Sequence, residues 1–384
     1  PVVVMAALTL AFIPPVFAGA GFMASFPIWL HRALIFLVVS CPCALVISVP
    51  LSFFGGLGAA SRRGVLIKGS NYVDALANLG VVVFDKTGTL TYGKFEVEAV
   101  HPDDFDEHEL LHLAAHVEHF STHPIGAALR NAFPAEAVDG CEVTNVEEIA
   151  GRGVRAEAAG RTVCVGNSKM MDDLGVEWHD CHLAGTIVHV AVDGKYAGHI
   201  VISDVVKKDS AEAVRGLKRL GVERTVMLTG DREAVGKEVA EKLGLDEYHA
   251  GLLPADKVAQ VERPISEKPA GKVLAFVGDG INDAPVLKRA DVGIAMGGLG
   301  SDAAIEAADV VLMDDKPSKI AEAVRISRRT IGIARQNVWF AIGVKVSILA
   351  LAAFGLGTMW MAVFADVGVT VLAVFNAMRA LSAR

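Results

Sequence analysis

The sequence predicts an α/β fold in which a doubly wound parallel sheet carries an inserted α+β domain and is held between two pairs of membrane helices. Three observations lead there. Apolar residues gather at the two ends of the chain, short apolar runs between them end on Asp, Thr or Gly and alternate with helical patterns, and one long stretch inside that block has a different texture. Composition agrees: of 384 residues 52% are hydrophobic and only 21% charged, and the mean hydropathy is positive, which argues against a purely soluble enzyme. Aromatics make up 7% against 38 glycines, so the apolar excess is small and aliphatic, as in close-packed membrane helices. A net charge of −8 without long basic runs argues against nucleic acid as a partner, because phosphate binding needs a clustered cationic face. Five cysteines, an odd number, give no secreted disulfide framework.

The elements follow in order. Pro1 to Ala20 is uncharged, and Ile28 to Ala60 carries only His31 and Arg32, so each is long enough to cross a hydrocarbon layer of roughly 30 Å. The first has no basic n-region and a second long apolar run follows, so it is not a secretory signal. Asn337 to Leu356 and Met359 to Ala380 form a second pair joined around Gly355, Leu356 and Gly357, for four crossings in all. Arg62, Arg63 and Lys68 follow the second segment, Arg325, Arg328, Arg329 and Arg335 precede the third, and Arg379 and Arg384 close the fourth, which puts these flanks in the cytoplasm. The polar block of about 265 residues between the pairs is then cytosolic, and its Cys141, Cys164 and Cys181 stay reduced.

Within that block, Val81–Phe84 ends at Asp85, Val226–Leu228 at Thr229, and Val273–Val277 at Gly278 and Asp279. These read as buried parallel strands, with helices at Asp209 to Leu220 and Arg232 to Leu243 between the later ones. Ligands of such sheets bind at the carboxyl ends of the strands, where Asp85, Thr229 and Asp279 fall. From about Tyr92 to about Ile202 the chain is first acidic and His-rich, then made of short strand-like runs such as Ile187 to Val192 with Gly turns, which predicts an inserted domain. The expected division is 1–70 for the first helix pair, 71–93 and 203–334 for the sheet domain, 94–202 for the insert, and 335–384 for the second pair.

In Asp85-Lys86-Thr87-Gly88-Thr89-Leu90-Thr91 a carboxylate at a strand end meets a turn rich in hydroxyls and Gly, offering an aspartyl nucleophile beside backbone N–H groups that cradle a phosphoryl group. Thr229-Gly230-Asp231 adds a hydroxyl for the phosphoryl oxygens, and Lys257 a cation for the developing charge. Asp279, in Gly278-Asp279-Gly280-Ile281-Asn282-Asp283-Ala284-Pro285, is the hard oxygen ligand that Mg²⁺ needs beside Asp85 and the carbonyl of Thr87. Together and in this order the motifs resemble P-type ion-pumping ATPases of the haloacid-dehalogenase superfamily. That resemblance implies a haloacid-dehalogenase-like phosphorylation domain in which Asp85 accepts the γ-phosphate of ATP, Asp283 orients the Mg²⁺ site and Asn282 contacts the phosphoryl group. In the insert, Glu118, His123, Gly151, Gly153, Gly166 and Asn167 match the adenine pocket of heavy-metal members, where glycines let a flat base approach the backbone. Five histidines, His108, His112, His116, His119 and His123, recur at helical spacing, but without an acidic or Cys partner at site-like spacing they read as a solvated face.

Cys41-Pro42-Cys43 lies midway along the second membrane segment. Pro42 lacks a donor and forces local unwinding, tolerated at membrane depth only where it lines a cavity, and two thiolates there make a soft-metal site. The tripeptide resembles the transport site of heavy-metal pumps. Lys345 and Asp366 are charged residues deep in the second pair; a carboxylate suits a divalent ion on two sulfurs and Lys345 neutralises the emptied site, which resembles the zinc, cadmium and lead subgroup. Copper pumps carry other residues here, and Asn337 and Asn376 lack that context, so Cu⁺ export is the alternative. An alternative of another class is a membrane-tethered phosphatase or an inactive metal-binding subunit; Thr87 cannot supply the acid/base carboxylate that such phosphatases place two residues after the nucleophile. The resemblance further implies an inner-membrane protein. Such pumps also have an actuator domain with a Thr-Gly-Glu loop and four earlier helices, neither of which appears in these residues, so the expectation is the C-terminal portion of a larger pump.

Overall fold

The computed structural model describes residues 2–17, 21–121, 124–134, 140–183, 185–280, 283–298, 302–354 and 356–382. His123 and Asn282, both expected at functional sites, lie outside them. At the N-terminal end, helix Val2–Phe17 packs on Phe22–Val39, the chain breaks at Ser40–Pro42, and helix Cys43–Arg62 follows. The segment expected from Ile28 thus starts six residues earlier and is two helices. The break has a local cause: Pro42 has no N–H, so the Val38 carbonyl takes the Cys41 N–H at 3.3 Å instead, and the Ser40 hydroxyl donates to Phe36 O at 2.7 Å.

The chain then lays down β1 (Val65–Ile67) and β2 (Leu79–Asp85) before leaving the sheet for the insert. The insert comprises β3 (Thr91–Pro102), β4 (Val143–Ile149), β5 (Gly153–Ala158), β6 (Arg161–Gly166), β7 (Thr186–Val192) and β8 (Lys195–Val206). These strands form an antiparallel sheet ordered β3-β8-β7-β6-β5-β4, entered and left through the paired residues Thr91 and Val206. The first sheet resumes with β9 (Arg224–Leu228), β10 (Glu247–His249), β11 (Val273–Gly278), β12 (Val292–Met296) and β13 (Val310–Leu312), in the order β1-β13-β12-β11-β2-β9-β10. All its pairs are parallel except β1 with β13.

Every residue of β2 is buried, because helices cover both faces and the strand is central. Val82 and Phe84 pack with Leu76, Leu217 and Val324 on one face; Val81 and Val83 pack with Phe276 and Val286 on the other. This is why the strand reads as a continuous apolar run rather than an alternation.

The third expected membrane segment is the far end of a single helix, Lys319–Ala353, of 35 residues. Its start packs Ile320 and Val324 into the core under the first sheet; its end packs Ile348 and Ala352 against Ile35 and Val39. The fourth, Met359–Met378, is helical with a widened π turn at Phe364–Gly368 that contains Asp366. Among the described residues two helical spans are long and apolar enough to cross a membrane, the broken Phe22–Arg62 and Met359–Met378, where four crossings were expected.

Along the His-bearing helix Glu107–Val117 the expected solvated face holds at His108, which is exposed, and is corrected further along. His116 is buried, and the rings of His108 and His112 lie 5.0 and 5.3 Å from that of Phe133, on a segment distant in sequence. A Cys partner arrives the same way: ligand atoms of His112, His116 and Cys141 fall within 4.8 Å of one another. Tertiary packing, invisible to local spacing, brings them together.

Candidate functional site: a carboxylate centre, a glycine-walled cleft and a thiol break

Asp85, Asp279 and Asp283 converge at the carboxyl edge of the first sheet, with one oxygen from each within 4.8 Å. β2 ends on Asp85, and β11 ends just before Asp279, because neighbouring parallel strands deliver their last residues side by side. Lys257 donates to Asp85 Oδ1 at 2.5 Å and to Asp283 Oδ1 at 3.1 Å. Burial and the Asp283 charge push Asp85 up to about 7 against the pull of Lys257; burial, then Asp283, lifts Asp279 to about 6. Burial opposes the Lys257 ammonium, but Asp85 and Asp283 outweigh it and hold its pKa above the ordinary value. Three carboxylates beside one buried ammonium leave excess negative charge, and the oxygen-only donor set fits a hard divalent cation such as Mg²⁺.

Gly88 sits at φ 73°, and a Cβ there would lie 1.7 Å from Asp279 Oδ2, so the turn after Asp85 exists only because this residue has no side chain. Lys86 turns away from the carboxylates: its Nζ lies 2.7 Å from Asp231 Oδ2 and 3.3 Å from Asp204 Oδ2. Thr229, at the end of β9, donates its hydroxyl to Asp231 Oδ2 at 3.0 Å and accepts the Asp231 N–H at 3.1 Å. Two residues here escaped the sequence reading. Asp204, near the end of β8, receives Lys86 and also the Thr91 hydroxyl at 2.5 Å; Lys207, buried, donates to Gly88 O at 2.6 Å and Asp315 O at 3.2 Å. Burial lowers the pKa of Lys207, with Asp315 and Asp279 opposing. The available signal was charge at the tail of an apolar run, where Ile202 gives way to Asp204 and Lys207 as the chain returns from the insert.

In the insert, Glu118, Gly151, Gly153, Gly166 and Asn167 line one cleft of about 250 Å³. Gly153 has φ 151°, and a Cβ would lie 2.1 Å from Val165 O, so this wall is bare backbone. Asn167 caps helix Ser168–Leu174, accepting the Met170 N–H at 3.2 Å, and its amide donates to Gly151 O at 2.9 Å. Burial raises the pKa of Glu118, opposed by a hydrogen bond from Ser121.

At the helix break, Cys41 and Cys43 bring their sulfurs to 2.7 Å, and Asp366 joins them within 4.8 Å. The unwound turn leaves carbonyls without helical partners, and Lys345 fills that role: its ammonium donates to Val39 O at 2.9 Å and to Cys41 O, and lies 3.4 Å from Asp366 Oδ1. The salt bridge and the site are therefore one arrangement. Nearby, Asn376 donates to Asn337 Oδ1 at 2.8 Å and Asn337 to Ala373 O at 3.1 Å, so both amides are spent on joining helices.

A family profile described as haloacid dehalogenase-like hydrolase matches residues 79–291. The chain belongs to that family, in its P-type ATPase branch. It is 54% identical over 382 residues to a cadmium, zinc and cobalt-transporting ATPase of Bacillus subtilis, covering 99% of this chain and 54% of that protein. It is 53% identical to a zinc-transporting ATPase of Synechocystis, covering 99% and 52%. The crystal structure of a zinc-transporting PIB-type ATPase in its E2.Pi state aligns with a TM-score of 0.86 at 38% identity, over 99% of this chain and 62% of that one. This P-type chain thus spans about half the length of the curated relatives it matches.

Proposed function

We propose that the chain is the catalytic and C-terminal membrane part of an ATP-driven exporter of a soft divalent ion, Zn²⁺, Cd²⁺ or Pb²⁺, working through a phosphoaspartate on Asp85. The observation that carries this reading is the Cys41, Cys43 and Asp366 cluster at a broken helix, in the same chain as the Asp85 centre. A carboxylate beside two thiols suits a divalent cargo better than Cu⁺, for which soft donors suffice.

In the proposed reaction a carboxylate oxygen of Asp85 attacks the γ-phosphorus of ATP. The bond to the β–γ bridging oxygen breaks, its electron pair leaves with ADP, and an acyl phosphate remains. Asp85, Asp279, Asp283 and the carbonyl of Thr87 would hold Mg²⁺, which when bound supplies charge neutralisation around the phosphoryl oxygens. Lys257 holds Asp85 in place and carries positive charge to the transferring group; Thr229, with Asp231 orienting it, offers a hydroxyl to the same oxygens. Lys86 anchors the start of the loop to Asp204 and so to the insert, and Asn282 is proposed to contact the phosphoryl group. Glu118, His123, Gly151, Gly153, Gly166 and Asn167 are proposed to receive adenine.

The proposed layout has four crossings, with Val2–Phe17 and the end of Lys319–Ala353 added to the two apolar helices, in the inner membrane. The units are 1–70, 71–93 with 203–334, 94–202 and 335–384. Water attack on the phosphoaspartate is assigned to an actuator domain in the other half of the parent protein.

The test is acid-stable phosphorylation by γ-labelled ATP, and metal-stimulated ATPase, of a full-length protein carrying this chain. Zn²⁺-dependent turnover lost in Asp85→Asn and Asp366→Ala is expected. Stimulation by Cu⁺ alone, indifferent to Asp366→Ala, would instead establish a copper pump, and equal hydrolysis with and without metal would sink the reading.

A further inference from the structure

The insert holds a second group of soft ligands, away from both centres described above. β3, β8 and β7 set His101, His199 and His189 in one cross-strand row, His101 opposite His199 and His199 opposite His189. Ile200 and Ile202, flanking positions on β8, face the core under helix Glu107–Val117, so His199 points to the opposite side of the sheet. The segment after helix Ser168–Leu174 folds over that side and delivers Cys181. Ligand atoms of His101, Cys181 and His199 lie within 4.8 Å of one another.

The state of His199 is the second, independent observation. It is 2% exposed, and its Nε2 is buried without a hydrogen-bond partner among the described residues. Leaving such a nitrogen unpaired forfeits the hydrogen bond it would make in water. Its other nitrogen, Nδ1, lies 3.3 Å from the Tyr196 hydroxyl, which in turn lies 2.8 Å from His189 Nδ1. One ring nitrogen held by a hydrogen-bonding neighbour while the other has no hydrogen-bond partner among the described residues leaves a ring nitrogen available to a metal.

We propose that His101, Cys181 and His199 form a binding site for a soft divalent cation, Zn²⁺ or Cd²⁺, in the cytosolic insert. One thiolate and two imidazoles are a donor set that zinc accepts, and three protein ligands leave the fourth position to water. The site is independent of the transport reading, because it shares no residue with the Cys41 centre.

Co²⁺ is the probe, titrated into the full purified chain carrying Cys41→Ser and Cys43→Ser. In that background the expected result is a sulfur-to-cobalt charge-transfer band saturating with one site. Cys181→Ser removes the band, and His101→Ala weakens Co²⁺ binding more than about tenfold, since loss of a direct ligand costs no less than loss of its outer-shell support. Metal-free thermal melts of both variants show whether they remain folded, and His101→Ala, on a half-buried strand position, keeps the test open if Cys181→Ser does not. No sulfur band in the starting background, a band that survives Cys181→Ser in folded protein, or one that Cys141→Ser abolishes overturns the proposal, the last by assigning the metal to His112 and His116.

Discussion

Replacing Asp85 with Asn should stabilise the divalent-free protein, by an amount that grows with pH. Asp85 is buried, and its folded pKa is pushed to about 7 by burial and by Asp283. An acid whose pKa is raised on folding binds its proton more tightly when folded. Its contribution is complete below the unfolded value of 3.8 and is lost as pH rises through about 7. The gap between those values, at 1.36 kcal/mol per pKa unit, sets an upper limit of about 4 kcal/mol, more than half of which falls between pH 5 and pH 8. Asn cannot ionise and escapes the loss. For a domain of this size each kcal/mol moves Tm by roughly 2–4 °C, so the advantage of Asp85→Asn over wild type should widen by roughly 5–10 °C from pH 5 to pH 8. Thermal melts in detergent with chelator measure it. Mg²⁺ added at pH 8 should narrow the gap, because it stabilises the wild-type trio by mass action. An advantage that is the same at both pH values, or shrinks at pH 8, would refute the view that the empty centre is an electrostatically strained cluster.

Gly88→Ala must move Asp279, since its Cβ would sit 1.7 Å from Oδ2 at a φ of 73°; the expected outcome is a folded protein, about 1–3 kcal/mol less stable, with no acid-stable phosphoenzyme. Lys345→Ala leaves the Val39 and Cys41 carbonyls and the Asp366 carboxylate without their shared donor, and should cost about 3–5 kcal/mol, read as a fall in Tm in detergent. Asn167→Ala removes both a helix cap and the tie to Gly151; melts should show a loss of about 1 kcal/mol, and nucleotide titration a weaker Kd with unchanged phosphorylation at saturating ATP.

The parallel sheet was legible because β2, β9 and β11 are buried on both faces and so appear as uninterrupted apolar runs, each followed at once by a polar residue of the centre. The same logic explains what stayed hidden. Lys207 reaches Gly88 across 119 positions of sequence, and Cys141 and Cys181 reach their histidines through loops, so no local spacing marks them. The His-bearing helix misled for a related reason: Phe133, which covers it, comes from the far side of the next helix. The membrane break was legible because proline acts through its own missing donor. Which group would satisfy the freed carbonyls was not, since Lys345 belongs to a helix some 300 residues away.

Both proposed centres solve one electrostatic problem in the same way. Each gathers groups meant for a cation, three carboxylates at the sheet edge and two thiols with Asp366 at the helix break, and each has a lysine from a distant helix standing among them. Lys257 and Lys345 supply the charge that the cluster needs when no metal is bound, so neither leaves a bare buried anion. The helix Lys319–Ala353 gives the two centres a mechanical link. Its first turns are part of the core on which β2 rests, and Lys345, six turns further on, holds the carbonyls on either side of the break.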